Sequence, residues 1–114
     1  MSKLRDHLLT KEDFLKIKNN GIIIKTKNCI VKYIEFKENS NLKFGLTISK
    51  KIGNSVTRNK IKRQFRHIIS NFTKEKSLNN YKIVFYARKL TTTSNFKSIA
   101  KDLTYALNKI SNAS

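Results

Sequence analysis

The chain has 114 residues, of which 25 are Lys or Arg and 7 are Asp or Glu, for a formal charge of +18. That length supports one compact domain, residues 1–114, and is too short for two. So large a cationic excess repels itself unless an anionic partner neutralises it, which makes nucleic acid the first candidate partner and an anionic membrane surface the second.

After a few basic residues the first predicted element is a helix. Thr10 is placed as its N-cap, and Glu12 and Asp13 fall in the first turn, where negative charge suits the helix dipole. Leu9 before the cap and Phe14 have the spacing of a hydrophobic staple. Phe14, Leu15 and Ile17 are the expected apolar contacts, and Gly21 after Asn19-Asn20 is the stop. Strands follow. Ile22-Ile23-Ile24 begins one, and Lys25 to Asn28 turns it. Cys29 to Phe36 carries Ile30, Ile34 and Phe36 on one face and Val31 and Tyr33 on the other. Glu38 to Asn41 is a polar turn. Leu42 to Ser49 then alternates Phe44, Leu46 and Ile48 against Lys43, Gly45, Thr47 and Ser49. These strands imply a sheet with one apolar face and one mixed face.

The run KKIGNSVTRNKIKRQFR, Lys50 to Arg66, is the chain's most pronounced feature. It contains seven Lys or Arg and no acidic residue. A Gly53-Asn54 break leads into a helical period, with Ile61, Phe65, Ile68, Ile69 and Phe72 on one stripe. At about 100° per residue, Arg58, Asn59, Lys62, Arg63 and Arg66 fill the band beside that stripe, and Lys60 and His67 lie behind. Lys74 to Asn80 is a polar connection, Tyr81 to Ala87 a fourth strand, and Thr91 to Ser94 the lead into a last helix. Phe96, Ile99, Leu103, Leu107 and Ile110 share one face of it. The order α-β-β-β-α-β-α describes an α+β domain with a four-stranded sheet, without repeats or low-complexity segments.

Catalytic signatures are missing. The carboxylates Asp6, Glu12, Asp13, Glu35, Glu38, Glu75 and Asp102 are scattered over different elements, whereas a two-metal nuclease needs several converging on one pair of ions. His7 and His67 sit in basic surroundings and read as solvated surface residues. No metal-spaced Cys/His cluster, phosphate-binding loop or nucleophile elbow is present. Cys29 has neither a disulfide partner nor thiolate co-ligands, and reads as a small buried hydrophobe. No apolar stretch approaches the roughly 20 residues that cross a bilayer. MSKLRDHLLT lacks the apolar segment of a secretion signal, so a reducing, cytoplasmic setting is expected. Binding remains. Arg and Lys about one helical turn apart can follow phosphates, and the planar Arg forks of Arg58, Arg63 and Arg66 grip them best. Asn59 can reach a ribose hydroxyl or a base edge.

These residues resemble the protein component of bacterial ribonuclease P. FGLTISKKIGNSVTRNKIKRQFR, Phe44 to Arg66, is similar to that family's central signature, including Lys50-Lys51, Gly53-Asn54 and Arg58-Asn59. Leu8 to Gly21, Ile30 to Tyr33 and Ile83 to Arg88 extend the resemblance to about nine-tenths of the chain. It implies a subunit of a ribonucleoprotein that removes the 5′ leader of precursor tRNA, with the RNA subunit as catalyst and holder of Mg²⁺, and no cofactor bound by the protein. It further implies a mixed sheet with a left-handed βαβ crossover, a domain also seen in ribosomal proteins. By position, Lys50, Lys51, Asn54, Arg58, Asn59, Lys60, Lys62, Arg63 and Arg66 would contact the RNA subunit. Phe14, Lys18 and Tyr33 would line a leader cleft between the first helix and the exposed sheet face. The implied partners are ribonuclease P RNA and precursor tRNA, with neither membrane nor DNA. Three positions depart from the family pattern: Lys60 where a second arginine is usual, Lys18 where an aromatic is common, and His7 where an arginine is common. The alternatives are a general ribosomal-type RNA-binding protein, a major-groove DNA binder, which lacks the second short helix it would need, and an independent protein nuclease.

Overall fold

The computed structural model describes residues 9–36 and 42–112. Asp6, His7, Glu38 and the expected turn at 38–41 lie outside the described residues. Helix α1 is Lys11–Asn20, followed by strands β1 (Ile22–Lys25), β2 (Cys29–Glu35) and β3 (Lys43–Thr47). Helix α2 is Ser55–Glu75, strand β4 is Tyr81–Ala87, and a single 3-10 turn at Lys89–Thr92 leads into helix α3, Phe96–Asn112.

Local chemistry sets these boundaries. Thr10 caps α1 by accepting from the Asp13 N–H at 3.1 Å, while the Asp13 carboxylate accepts from the Thr10 N–H at 3.0 Å. This reciprocal box satisfies two of the donors that a helix start leaves open. Gly21 ends the helix with extended backbone (φ −69°) rather than a left-handed turn. A Cβ there would lie 2.3 Å from the Ile17 carbonyl oxygen, the same oxygen that accepts from the Gly21 N–H. At the start of α2 the Asn54 side chain accepts from the Thr57 N–H at 2.9 Å.

The strands form one mixed sheet in the order β1-β2-β4-β3, with β1–β2 and β2–β4 antiparallel and β3 parallel to β4. The register places Val31 opposite Phe85, Tyr33 opposite Ile83, and Leu46 opposite Phe85 from the other side. Because side chains alternate along a strand, those residues share one face. Helices α2 and α3 cover that face. Ile61, Phe65, Ile68 and Ile69 of α2 and Ile99, Leu103, Ala106, Leu107 and Ile110 of α3 are buried there against Cys29, Val31, Phe44, Ile83 and Phe85. Phe44 and Phe85 meet edge to face, ring centroids 6.0 Å apart. Phe72 packs at the margin of this core. Phe96 does not join it as the helical stripe suggested. It is 41% exposed, at the first turn of α3, with its ring against His67.

Among the described residues the opposite face is covered by α1 alone. Leu9 and Ile17 pack on Val84, flanked by Ile34 and Tyr86. A helix of ten residues cannot shield four strands, so the described residues leave part of this face open. Leu15 makes no buried contact here and is 57% exposed, contrary to the expectation for it. Cys29 is wholly buried, and burial pushes its thiol up to about 11, far from thiolate chemistry at neutral pH. Among the described residues no helix is long and apolar enough to cross a membrane.

Candidate nucleic-acid interface

Two surfaces combine cations with exposure. The first is the N-terminal half of α2 and the loop before it. Lys50, Lys51, Asn54, Asn59, Lys60 and Arg63 are exposed, and Arg58, Lys62 and Arg66 are half-exposed beside the buried stripe. The band expected from helical periodicity is thus present, with each member at or near the surface. Arg58 folds back to donate from Nε to the Gly53 carbonyl at 3.2 Å, which fixes its guanidinium over the helix start. Asn54 has a separate structural task, since its oxygen caps the helix. The first turn of α2 contains no acidic residue. A helix N-terminus already carries partial positive charge, and here cations are added to it, an arrangement that favours a bound anion such as phosphate.

The second surface is the open half of the α1 face. Strand parity and register put Lys25 of β1, Ile30, Lys32 and Ile34 of β2, Lys82, Val84 and Tyr86 of β4, and Lys43, Gly45 and Thr47 of β3 on this side. Helix α1 sits toward the Ile34–Lys82–Lys43 end. Asp13 accepts from Lys82 Nζ at 2.7 Å and ties the helix to β4. Burial alone would raise the Asp13 carboxyl. The bonds from Lys82 and Thr10 outweigh it and hold the group below its ordinary value. Toward the other end the described residues leave the sheet partly open. Tyr86 is half-buried there with Lys32 Nζ 5.3 Å from its ring centroid, a cation–π contact. Burial pushes the Tyr86 phenol up, so it remains a neutral hydroxyl.

Phe14 borders this groove. Its ring, 40% exposed, leans over Gly45, where a Cβ would come 3.3 Å from Phe14 Cζ. Leu9 reaches the same spot, its Cδ1 3.7 Å from that position, so the staple partners converge over β3. Lys18 is exposed in the last turn of α1.

Tyr33 requires a correction. It does not lie between α1 and the sheet. It is 6% exposed on the opposite face, edge to face with Tyr81 at 5.8 Å, within the α2–α3 core. Its phenol is raised by burial, then by the neighbouring Tyr81 and Glu35, with Lys109 opposing. The one-residue shift follows from the period of two along a strand. The β2 side chain that faces the groove is Lys32, and Tyr86 of β4 supplies the aromatic ring. Sequence reading missed both. Their only signal was parity relative to Val84, which becomes readable once the pairing with β2 is known.

Two acidic groups are turned inward, Asp13 toward Lys82 and Asp102 toward Asn28. Among the described residues no three His, Cys, Asp or Glu side chains gather where they could hold a metal ion.

Comparison with known proteins agrees with this architecture. The family model described as Ribonuclease P matches residues 3–111. A ribonuclease P protein component of Streptococcus agalactiae is 33% identical over 96 residues, covering 84% of this chain and 85% of the relative. One from Streptococcus pneumoniae is 36% identical over 97 residues, covering 85% and 77%. The solved RNase P protein of Staphylococcus aureus superposes with a TM-score of 0.80 at 26% identity, over 92% of this chain and 94% of that one. The RNase P protein of Thermotoga maritima shares the fold, with a TM-score of 0.79 at 23% identity over 92% and 97% of the two chains.

Proposed function

The chain belongs to the bacterial ribonuclease P protein family and is a protein subunit of that ribonucleoprotein enzyme, and on this premise we propose how it divides RNA binding between its two cationic surfaces. The α2 surface binds the RNA subunit. Lys50, Lys51, Arg58, Lys60, Lys62, Arg63 and Arg66 take phosphates, and Asn59 takes a ribose or base edge. The groove beside α1 holds the single-stranded 5′ leader of precursor tRNA. There Phe14 and Tyr86 offer ring faces, and Lys18 and Lys32 supply charge. Mg²⁺ and the bond-breaking step belong to the RNA, and the protein neutralises phosphate repulsion so that substrate and RNA subunit approach each other. The observation that carries this reading is the α2 start: a long helix whose positive end has no acidic residue in its first turn and is surrounded by exposed cations.

The test is cleavage of end-labelled precursor tRNA at near-physiological Mg²⁺, with the protein alone, with a bacterial ribonuclease P RNA, and with an unrelated structured RNA of equal length. The reading expects cleavage at the mature 5′ end only with the ribonuclease P RNA. Cleavage by the protein alone, in preparations freed of contaminating nuclease, would place chemistry on these side chains. Equal stimulation of any RNA would reduce the protein to a general RNA binder.

A further inference from the structure

Helix α3 has an outer face that belongs to neither RNA surface. At about 100° per residue, Lys97, Lys101, Tyr105 and Lys109 form one stripe, with Thr104 and Asn108 beside it. The four stripe residues are exposed, while Ile99, Leu103, Ala106, Leu107 and Ile110 fill the opposite side of the helix, against the core. The single carboxylate of α3 is Asp102. Its Oδ2 accepts from the Asn28 N–H at 3.0 Å and from Asn28 Nδ2 at 2.8 Å, a clasp that turns it toward a fully buried asparagine. The outer face therefore presents three lysines and a ring without a compensating acid on the same helix.

A solvated helix face ordinarily mixes both signs of charge. Glu–Lys pairs at i,i+4 stabilise a helix, and like charges at that spacing do the reverse. Lys97 and Lys101 are such a like pair. Lys97 also stands in the first turn, which has no acidic residue and where the helix dipole disfavours a cation. Only Lys109, in the last turn, suits the dipole. Helix stability does not account for this row, whereas an anionic ligand would. The far end of the row draws on a second helix. Lys76, the C-cap of α2, donates from Nζ to Asn108 Oδ1 at 2.7 Å. Lys109 Nζ lies 5.2 Å from the centroid of the Tyr105 ring, which remains 51% exposed. Charge for phosphates and a ring for a base are the combination that holds single-stranded RNA.

The position is distinct as well. The groove beside α1 lies on the other side of the sheet. Helices α2 and α3 meet through His67 and Phe96 at the start of α3, and through Lys76 and Asn108 near its end. They thus run in the same direction, with α3 beside the C-terminal half of α2. The band from Arg58 to Arg66 belongs to the other half. The apolar stripe of α3 is buried in the core, so a lipid surface would find only one ring to take up.

We propose that the outer face of α3 is a third RNA site, where Lys76, Lys97, Lys101 and Lys109 take phosphates of a single-stranded segment and Tyr105 stacks on a base. It goes beyond the two-surface reading and involves neither the leader nor the α2 band. An unpaired stretch of the RNA subunit and a separate RNA strand share this chemistry, and the test has an arm for each.

In the first arm, affinity for bacterial ribonuclease P RNA is measured over a range of salt. In the second, the assembled enzyme is saturated with precursor tRNA, which occupies the groove and the α2 band. It is then titrated with a labelled oligouridylate of about 10 nucleotides. The variants are Tyr105→Ala, Tyr105→Phe and Lys101→Ala, with Lys11→Ala on α1 as a charge-matched control. Surface changes of this kind leave the fold intact, and denaturant unfolding checks it. Tyr105→Ala is expected to weaken binding about tenfold in one arm, and Tyr105→Phe to retain it. Lys101→Ala is expected to lower the salt slope in the same arm by about 0.7, with Lys11→Ala unchanged. A loss in the first arm assigns the segment to the RNA subunit, and a loss in the second assigns it to a separate strand. Tyr105→Ala without effect in either arm, or Lys11→Ala as costly as Lys101→Ala, would overturn the proposal. So would Tyr105-dependent binding to phosphatidylglycerol vesicles in place of RNA. Arg58→Ala runs in the first arm. If it weakens binding while the α3 variants change nothing, only the third site fails. If it too is without effect, the two-surface reading fails with it.

Discussion

The two faces of the sheet are built from the same strands and have opposite fates. On one, Val31, Phe44, Ile83 and Phe85 are sealed beneath α2 and α3 with almost no exposure. On the other, among the described residues, α1 covers the strip around Val84 and leaves Lys32 and Tyr86 half-open. Neighbours in one strand, Phe85 and Tyr86, thus face a sealed core on one side and a partly open groove on the other. Covering a face fully would have given a larger core. Leaving it half-covered gives a groove whose floor is rigid because its reverse side is packed, which suits recognition of a strand that is itself flexible.

The contrast can be broken most forcefully at Phe85. Phe85→Ala, or Phe44→Ala across from it, is expected to cost about 3–5 kcal/mol in denaturant unfolding, by loss of buried area and creation of a cavity. Tyr86→Ala should cost far less stability and instead weaken binding of a leader-bearing precursor by about 1–3 kcal/mol, the usual loss for one stacking ring. A comparable stability loss at both positions would mean that the faces are not divided as described.

Asp13 tests how firmly α1 is held on the open face. Asp13→Asn removes the ion pair to Lys82 and weakens the cap, and about 1–2 kcal/mol is expected in thermal or denaturant unfolding. The pH dependence has a definite sign. The Asp13 carboxyl is held below its ordinary value in the folded protein, so its contribution is present above about pH 4 and is lost as pH falls through the lowered folded value. The wild-type protein should therefore lose stability over that acid window more steeply than Asp13→Asn.

Smaller effects are expected at Gly45 and Arg58. A methyl group at Gly45 meets the tip of Phe14 at 3.3 Å, so Gly45→Ala should push that ring out of place. The loss should fall mainly on precursor affinity, with about 1 kcal/mol in stability. Arg58→Ala should leave leader discrimination intact and lower the salt slope of RNA-subunit binding by about 0.7–0.9.

Much of this division could be read before any coordinates. The Thr10 cap, the Asn54 break, the buried stripe of α2 and its cationic flank all follow from local spacing, and the helices obey it. The identity of the open face did not follow. In β2 both parity classes are apolar, Ile30 and Ile34 against Val31 and Tyr33, and nothing within the strand says which class meets two helices and which meets one. Pairing with β4 decides it, and that places Lys32 rather than Tyr33 in the groove. The Asn28–Asp102 clasp was equally hidden, since its partners lie 74 residues apart and an isolated Asn or Asp carries no sign of its bond. Phe96 shows the converse error, an apolar residue in the right helical register but at a helix end that extends past the core.

The most direct test of the two-faced sheet is NMR of the side chains during titration with a short single-stranded leader RNA. Resonances of Tyr86, Lys32 and Phe14 should shift together and saturate at one concentration, while the Tyr33 and Tyr81 rings stay in place. Shifts that centre on Tyr33 and Tyr81, with Tyr86 and Lys32 unmoved, would contradict the assignment of the open face and the account built on it.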